Sequence, residues 1–427
     1  MTKNIWITGF ALFSLFFGAG NLILPPYLGL TSGNQWLWVT LGFLISAVIL
    51  PLLGILVHAR LQGTMMDFGK KVGPVFSLVY CCLIYAISIT LPSPRTASVT
   101  HEMAIAPISN TGSLLTSGLY FALVLLFVLN RSRILNIIGK YLGPLLILVV
   151  ISVITVATVT IDTGVVPVSV SAPVISGLLE GYQTFDTIGA TVVGGVIIIS
   201  LKQKFNYSYP TLKNLLFKSA FVAAIGLLLI YSGLIYSGAL LSSTVDTSTV
   251  NRTEFLTLLS TETLGRIGTY FLSLLVTLAC FTTAVGIITG TADFVKGIWK
   301  ESPLAYYFTA VFACFIGVFV GQLDVSVIIK VAIPALLFIY PITIVLIILH
   351  LLPASIQTTL LFRGVVLITT IGVLPDFLGS IGFKEQVTPF LHNIPLGDYT
   401  LGWLLPSLVT GIIISMYTYF NQNKFSV

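Results

Sequence analysis

Residues 10–26 read FALFSLFFGAGNLILPP, an apolar stretch with glycines and an asparagine at its centre and two prolines at its end. It lies within a longer apolar segment, 5–30, which exceeds the roughly 20 residues that a membrane-spanning helix needs. Gly18-Ala19-Gly20-Asn21 falls at mid-membrane and Pro25-Pro26 follows, so we predict a helix that is interrupted inside the bilayer. Unwound backbone is tolerated at that depth only where protein buries it or where it lines a cavity.

The composition of the whole chain also indicates insertion into a membrane. Of the 427 residues, 56% are hydrophobic and 8% are charged, and the mean hydropathy is +1.04. Soluble domains carry about a quarter charged residues, so this chain has too little polar surface to cover a water-soluble globule. We therefore predict an all-α polytopic membrane protein with about twelve spans, at 5–30, 35–58, 73–106, 114–130, 138–161, 180–202, 213–240, 266–297, 304–321, 325–350, 358–381 and 398–420.

The basic residues predict the topology. About three quarters of the 20 Lys and Arg residues fall on the side of the N-terminus, and such an excess marks cytoplasmic loops. With an even number of spans, we expect both termini in the cytoplasm and the protein in a plasma membrane. The basic residues are scattered between apolar spans, which argues against nucleic acid as a partner. Those on the N-terminal side are Lys3, Arg60, Lys70, Lys71, Arg131, Arg133, Lys140, Lys202, Lys204, Lys213, Lys218, Lys296, Lys300, Arg363 and Lys424.

Catalytic and cofactor-binding patterns are not found in the sequence. The cysteines fall within predicted spans, so they indicate neither a disulfide framework nor a zinc site. There is no nucleophile–base constellation, no metal-ligand spacing of histidines and no phosphate-cradling glycine loop. We therefore expect no enzyme activity, no cofactor and no obligatory protein partner. The cysteines are Cys81, Cys82, Cys280 and Cys314.

A second interrupted span predicts the internal symmetry. The sixth span opens Gly181-Tyr182-Gln183-Thr184-Phe185-Asp186-Thr187 and continues through Gly194-Gly195. The two interrupted spans are five apart, and because five is odd the second set of five enters the membrane from the opposite side. Broken helices at matching positions of two inverted halves are typical of transporter binding sites. We predict one transport domain, 1–427, with repeats at 5–161 and 180–350 and two accessory helices at 358–420.

The interrupted spans predict a site for ions and for a polar substrate group. Free N–H groups at a half-helix N-terminus suit a carboxylate, whereas free carbonyls and hydroxyls suit a sodium ion. Asp186 lies a few residues into the sixth span, where a carboxylate costs about 2.5–3.5 kcal/mol. It therefore needs a substrate ammonium, a cation, a proton or a hydrogen-bonding partner. The alternative is that the span starts later and Asp186 caps its first turn in water.

Three further polar features have two interpretations each. The adjacent hydroxyls of Thr282 and Thr283 in the eighth span suit a hard cation, but threonines in membrane helices also bond back to the carbonyl one turn earlier. Arg95 and Glu102 lie seven residues apart on one face of the kinked third span, either as a gate or as a buried structural pair. The polar excursion 241–265 lies on the outer side, where it is interpreted as the position of a surface helix and as a lid.

The residues quoted above resemble a known family. The stretch 10–26 is similar to the N-terminal motif of the bacterial branched-chain amino acid:cation symporters, the BrnQ-type carriers. The resemblance covers essentially the whole chain and implies the five-plus-five inverted-repeat fold of leucine-transporter-like proteins in a bacterial plasma membrane. Its other motifs are Pro94-Arg95-Thr96-Ala97 with Glu102, Glu180-Gly181-Tyr182 with Asp186, and Thr282-Thr283-Ala284.

The resemblance also implies specific binding residues. It places a sodium ion between the first and eighth spans, held by the backbone carbonyls of Ser14 and Phe17 together with Ala279, Thr282 and Thr283. It places the substrate carboxylate at the amides of Gly18, Ala19, Gly20 and Asn21. The substrate ammonium then lies near carbonyls of the sixth span or near Asp186, with Thr184 among the surrounding residues. An apolar wall for the substrate side chain is expected from Phe16, Tyr182 and Phe185.

The resemblance implies sodium-coupled import of leucine, isoleucine and valine, which we expect to proceed by alternating access. Proton coupling through Asp186 is a variant of the same carrier. A passive pore lined by the polar breaks is an alternative from another class, and a substrate sensor is disfavoured because the sequence contains no soluble output domain.

Overall fold

The computed structural model describes residues 2–61, 64–129, 134–162, 164–192, 194 and 209–424. The predicted residues Arg131, Arg133, Gly195, Lys202 and Lys204 lie outside these ranges. Throughout the described ranges the regular structure is helical. The main helices are α1 (Thr2–Phe16), α2 (Ala19–Ser32), α3 (Trp36–Leu44), α4 (Leu50–Leu61), α5 (Met66–Gly69), α6 (Pro74–Thr90), α7 (Pro92–Thr100), α8 (Ser113–Leu129), α9 (Ile134–Thr160), α10 (Pro173–Tyr182), α11 (186–192), α12 (Tyr209–Leu240), α13 (Arg252–Ile298), α14 (Pro303–Val320), α15 (Val325–Leu351), α16 (Thr359–Leu378), α17 (Lys384–Leu391) and α18 (Leu404–Lys424).

Length and composition identify membrane-spanning helices. In the described part of the chain, 7 helical segments are long and apolar enough to cross a bilayer, and α8, α18 and parts of α1 and α9 form shorter apolar helices. The all-α polytopic class is therefore confirmed, whereas the count of twelve spans stays a prediction. The long segments are Gly20–Leu61, Pro74–Ile105, Pro210–Leu240, Arg252–Ile298, Pro303–Val320, Val325–Leu351 and Thr359–Leu391.

Both predicted helix breaks are present. Between α1 and α2 the chain leaves the helix at residues 17–18, and between α10 and α11 it leaves the helix at residues 183–185. Phe185 has a φ of 64°, a left-handed conformation that a bulky residue rarely adopts. Such backbone persists only where the surrounding packing holds it, and it is concentrated at functional sites. The breaks are therefore built features of the fold.

The sixth span starts earlier than predicted. Its first helix, α10, begins at Pro173 rather than at residue 180, with the proline in the first turn where a missing N–H costs nothing. Asp186 consequently lies after the break in the interior, and its side chain is only 7% exposed. The alternative that Asp186 caps a first turn in water is wrong.

Glycines bring the broken spans very close to two other helices. A Cβ atom at Gly29 of α2 would overlap the carbonyl of Ile235 in α12, and one at Gly238 would overlap the carbonyl of Pro26. The pair α3 and α10 shows the same arrangement, with Gly42 against Val174 and Gly177 against Val39. Small residues allow this close backbone approach in membranes. Both broken spans are thus anchored by backbone-to-backbone packing.

Gly42→Ala is expected to lower the free energy of unfolding by about 1–3 kcal/mol, because the added Cβ must push α3 and α10 apart. The measurement is thermal unfolding of purified protein in detergent. Gly118→Ala in α8 is the matched control, since nothing lies within 4 Å of its added Cβ and alanine favours a helix more than glycine does. Equal melting temperatures for the two variants would contradict the packing argument.

Three basic residues predicted to share a side lie at one end of the helices. Arg60 donates to the carbonyl of His350 (2.7 Å), and Lys71 donates to the side chain of Gln357 (2.7 Å). Arg363 donates to the carbonyl of Val72, in the connection after α5 (2.8 Å). Burial lowers the pKa of Lys71 below its usual range, and the nearby charge of Arg60 adds to the effect. Three positive groups therefore tie the connections between helices at this end.

The long polar excursion contains a surface helix. α13 begins at Arg252 and is kinked at Gly265, whose φ of 68° divides it into a short outer helix and the eighth span. The Asn251 side chain accepts from the amides of Thr253 and Glu254, and Glu254 accepts from the amide of Asn251, a complete capping box. The excursion is thus an ordered element with a defined start.

Candidate functional site

A buried polar cluster joins the two helix breaks. The side-chain amide of Asn21 in α2 donates to a carboxylate oxygen of Asp186 in α11 and also lies at hydrogen-bond distance from the hydroxyl of Tyr231 in α12. Asn21 is 1% exposed and Tyr231 is fully buried. A buried carboxylate needs such partners because it has lost its water. The predicted neighbourhood of Asn21 and Asp186 is therefore formed by direct contact.

Arg95 of α7 lies beside the same breaks. Its Nη1 donates to the carbonyl of Gln183 in the second break (2.6 Å), and its guanidinium lies over the ring of Phe185, 5.2 Å from the centroid. A Cβ atom at Gly20 would overlap its Nη2. The absence of a side chain at Gly20 thus allows the guanidinium to approach the backbone of the first break.

The predicted apolar wall is divided. Tyr182 and Phe185 belong to one hydrophobic cluster, where Tyr182 stacks on Tyr340 with ring centroids 4.3 Å apart. Phe16 is buried in a different cluster, at the end of α1. Thr184 donates its hydroxyl to the carbonyl of Gly181 (2.8 Å) and lies at the turn of the break. The structure therefore brings Tyr182 and Phe185 to the cluster of Asp186, with Tyr340 as an additional member, and does not group Phe16 with them.

The residues predicted for the ion lie on neighbouring elements. A Cβ atom at Gly18 would be 3.2 Å from the hydroxyl oxygen of Thr283, so the first break touches the eighth span. In a continuous helix the amide of Gly18 would bond to the carbonyl of Ser14, but here it donates to the carbonyl of Phe16 (3.1 Å). The hydroxyl of Ser14 is buried without a hydrogen-bond partner. The end of α1 thus offers oxygen atoms beside Thr283.

Both threonine hydroxyls bond back along the helix. Thr282 donates to the carbonyl of Ala279 at 2.8 Å, and Thr283 donates to the same carbonyl at 3.0 Å. A hydroxyl that donates in this way keeps its oxygen lone pairs for a cation. The structural interpretation and the ion-site interpretation are therefore compatible, and of these hydroxyls that of Thr283 lies against Gly18.

The structure does not bring Arg95 and Glu102 together. Glu102 accepts from the hydroxyl of Thr253 and from the amide of Val325 (2.8 Å), both at the outer ends of other helices. No ion pair between Arg95 and Glu102 is formed in the described part of the chain. The physical reason is that the two residues lie two helical turns apart, about 10 Å along the axis of α7 and its π-helical continuation His101–Ile105, and each side chain bonds to a different neighbour.

The surface helix at the start of α13 contacts the second broken span. Arg252 donates to Glu180 through Nε (3.1 Å) and Nη2 (2.9 Å) and lies 5.0 Å above the ring centroid of Tyr27. Glu180 also accepts from Gln183 within the break (3.0 Å). A cavity of about 160 Å³, lined in part by Tyr27, Glu102 and Arg252, lies beneath this helix. Through Arg252, the surface helix is thus bonded to Glu180 of the second broken span and packed on Tyr27 of the first.

An aromatic cluster packs against the second half of the broken sixth span. The ring centroid of Phe68 in α5 lies 4.6 Å from that of His58 and 5.5 Å from that of His350. A ring nitrogen of His58 lies 2.8 Å from the carbonyl of Thr191 in α11. The second half of the broken sixth span is therefore tied to α4 and to the cluster around Phe68.

Sequence reasoning missed several residues of the site. Nothing in the sequence around Tyr231 or Tyr340 distinguishes them from the many other aromatic residues in the apolar spans. Ser46 lies in a π-helical segment, Ile45–Ile49, and its carbonyl accepts from Thr187 beside Asp186 (3.2 Å). Only the spacing of the breaks could have pointed towards the helices that carry these residues.

Comparison with known proteins gives a consistent result. The sequence profile of a family described as "Branched-chain amino acid transport protein" matches residues 1–421. The branched-chain amino acid transport system 2 carrier protein of Pseudomonas aeruginosa is 32% identical over 407 residues, 93% of this chain and 92% of that protein. The branched-chain amino acid permease BrnQ of Bacillus subtilis is 35% identical over 423 residues, 96% of this chain and 95% of that protein.

The fold also has a solved counterpart. The structure of a Na⁺-coupled sialic acid symporter in a substrate-bound outward-open state matches with a TM-score of 0.60 and 13% identity, and the match covers 97% of this chain and 90% of that one. A similarity at this level of identity shows the fold alone. It confirms the predicted fold class, that of leucine-transporter-like membrane proteins.

Proposed function

The chain belongs to the branched-chain amino acid transport protein family, and from this premise we propose that it imports leucine, isoleucine and valine together with sodium by alternating access. The observation that carries the proposal is the direct contact between Asn21 and Asp186, which joins the two helix breaks around one buried polar cluster. Buried ionisable groups in membrane helices mark substrate and ion pathways. The proposed setting is a bacterial plasma membrane with both termini in the cytoplasm.

In this proposal Asp186 receives the substrate ammonium. Its carboxylate is buried and accepts from Asn21, and its backbone amide donates to the hydroxyl of Thr184 (3.3 Å). The amides of Ala19, Gly20 and Asn21 lie at the start of α2, where a helix dipole favours negative charge, so the substrate carboxylate is placed there. The amide of Gly18, predicted to join them, is instead bonded to the carbonyl of Phe16. Tyr182 and Phe185 with Tyr340 contact the branched side chain, and Phe16 supports the end of α1. Discrimination among the three amino acids is modest, because one methylene is worth about 1–3 kcal/mol.

Sodium is proposed to bind between the end of α1 and α13. The ligands are the carbonyls of Ser14, Phe17 and Ala279 and the hydroxyls of Thr282 and Thr283. Their support is the contact of Gly18 with Thr283 and the redirected amide of Gly18. Hard cations prefer oxygen ligands of this kind. Because α2 begins directly after the proposed ion site, ion binding and substrate binding stabilise the same break, and each raises the affinity of the other by the same factor.

The helix contacts support the proposed inverted repeat, 5–161 and 180–350. Such a repeat relates the first span to the sixth and the second to the seventh. The close pair of the first and seventh spans, through Gly29 and Gly238, then corresponds to the pair of the second and sixth, through Gly42 and Gly177. In both pairs, each helix places a glycine directly against a backbone carbonyl of the other helix. The helices after residue 358 lie outside this correspondence and are proposed as accessory.

The experiment that tests the function is uptake of labelled isoleucine into proteoliposomes. Three conditions are compared: an inward sodium gradient, a proton gradient without sodium, and neither. Accumulation driven by sodium and blocked by excess leucine and valine supports the proposal. Accumulation driven by protons alone would replace sodium with a proton, whereas uptake without saturation or counterflow would indicate a pore. Binding without accumulation in any condition would indicate a sensor.

Arg252→Gln is expected to slow leucine uptake about 5–30-fold while changing the dissociation constant for leucine less than about threefold. The variant removes the partly buried pair with Glu180, worth about 1–2 kcal/mol, which holds the outer helix closed after the substrate has bound. Uptake rate and equilibrium binding are measured on the same preparation. Lys296→Gln is the control, because its pair with Glu301 (3.0 Å) lies away from the outer helix. Loss of binding in parallel with uptake would argue against a closing role.

A further inference from the structure

Arg95 is a buried cation without a carboxylate partner. Its side chain is 3% exposed, and its Nε has no hydrogen-bond partner. Within the described residues no carboxylate lies at ion-pair distance from its guanidinium, although Asp186 is near enough to act on it electrostatically. Its Nη1 donates to the carbonyl of Gln183 (2.6 Å). Buried charges are normally paired, so this guanidinium retains unused capacity for an anion.

A second positive group lies against Arg95. The N-terminus of α2, a helix of 14 residues, begins at Ala19, and Gly20 in its first turn is the closest point of approach for Nη2. The first amides of a helix have no partner within it, and its dipole places partial positive charge there. Two positive groups that converge in a buried space repel each other unless an anion lies between them.

The carboxylate nearest to Arg95, that of Asp186, is hydrogen-bonded to another residue. A carboxylate oxygen of Asp186 accepts from the side chain of Asn21, the residue that follows Gly20 in α2, and within the described residues Asp186 is not at ion-pair distance from Arg95. The cluster therefore presents a cationic side, formed by Arg95 and the start of α2, and an anionic side, formed by Asp186. An α-amino acid carries one carboxylate and one ammonium on neighbouring carbons, and this arrangement of charges is complementary to it.

We propose that Arg95 binds the α-carboxylate of the substrate through its guanidinium, together with the first amides of α2, while Asp186 binds the ammonium. The inference rests on the proposed function and extends it, since Arg95 becomes a substrate-binding residue rather than a gate. A planar guanidinium with several donors suits a carboxylate better than amides alone. The stacking of Arg95 on Phe185 holds the guanidinium plane in position.

A purely structural role for Arg95 makes a different prediction. The bonds to Gln183 and Phe185 would then only stabilise the second break, and their loss would weaken the binding of all ligands alike. Recognition of a carboxylate instead changes the ratio between ligands with and without that group. The test therefore varies the residue and the ligand together.

The experiment measures dissociation constants of leucine, of leucinamide and of 4-methylpentanoate for the wild type, Arg95→Gln and Arg95→Lys. Leucinamide lacks the carboxylate charge, and 4-methylpentanoate lacks the ammonium. In the wild type we expect leucine to bind at least about 30-fold more tightly than leucinamide. Arg95→Gln reduces this ratio to within about threefold, and Arg95→Lys gives an intermediate value. The ratio of leucine to 4-methylpentanoate changes little in either variant, because Asp186 is intact.

Gly20→Ala provides a second test if the Arg95 variants fail to fold. Its Cβ displaces the end of the flexible Arg95 side chain, and so it should lower the preference for leucine over leucinamide without removing the charge. A folded Arg95→Gln that keeps the wild-type ratio overturns the inference, as does a Gly20→Ala that keeps it where Arg95→Gln cannot be purified. A wild type that binds no branched-chain amino acid refutes the proposed function itself, which separates the two failures.

Discussion

Asp186→Asn is expected to reduce leucine binding at least about a hundredfold and to bring leucine uptake to background. Removing one partner of a buried ion pair costs about 3–5 kcal/mol, and each 1.36 kcal/mol is a tenfold change. The ammonium of the substrate would enter a buried site without the carboxylate that compensates its charge. The folded protein itself should tolerate the change, because asparagine is of similar size and still offers an oxygen to Asn21. Leucine binding to purified protein is the measurement.

The control for this prediction is another buried carboxyl group. Asp376 in α16 is 5% exposed, and neither of its carboxylate oxygens has a hydrogen-bond partner. It lies on α16, one of the helices that we propose to be accessory, so Asp376→Asn is expected to keep leucine binding within about threefold of the wild type. A tenfold or smaller loss of affinity in Asp186→Asn would remove Asp186 from the substrate site.

The helix breaks could be predicted because their causes are local. Glycine and asparagine inside an apolar span weaken a helix through their own chemistry, as in Gly18-Ala19-Gly20-Asn21. Asp186 was identified for a similar reason, since a carboxylate in an apolar environment needs an explanation wherever its partner lies. These features require no knowledge of which helices are neighbours. The spacing of five spans between the breaks then indicated the architecture.

The partners across the site could not be predicted, because they depend on packing. The sequence marks Arg95 as unusual but does not show that it lies against Gly20 rather than Glu102. A π-helical segment follows α7, and hydropathy contains no signal for it. The start of the sixth span at Pro173 was missed because no charged residue between Asp162 and Glu180 marks where the helix begins. Tyr231 joins the site only through the close pairing of α2 with α12.

Sodium dependence itself has a specific test, in which the double variant Thr282→Ala Thr283→Ala lowers the apparent affinity for sodium at least about tenfold. The two hydroxyls supply oxygens to the proposed ion, and their removal leaves too few ligands for a dehydrated cation. Leucine binding should then lose most of its stimulation by sodium, because the coupling is reciprocal. The helix should remain intact, since both hydroxyls bond back to Ala279 and contribute little to helix stability. The measurement is leucine binding as a function of sodium concentration.

The matched control is Thr277→Ala Thr291→Ala in the same helix. Thr277 and Thr291 also donate to the carbonyl one turn earlier, at 2.8 and 2.9 Å, so this variant loses equivalent bonds away from the first break. It should keep the sodium dependence of the wild type. If the Thr282 and Thr283 variant keeps that dependence as well, the ion does not lie at the contact between Gly18 and Thr283. If only that variant loses it, the coupling ion and the substrate share the first helix break, and closure of this break around both is the step that links their transport.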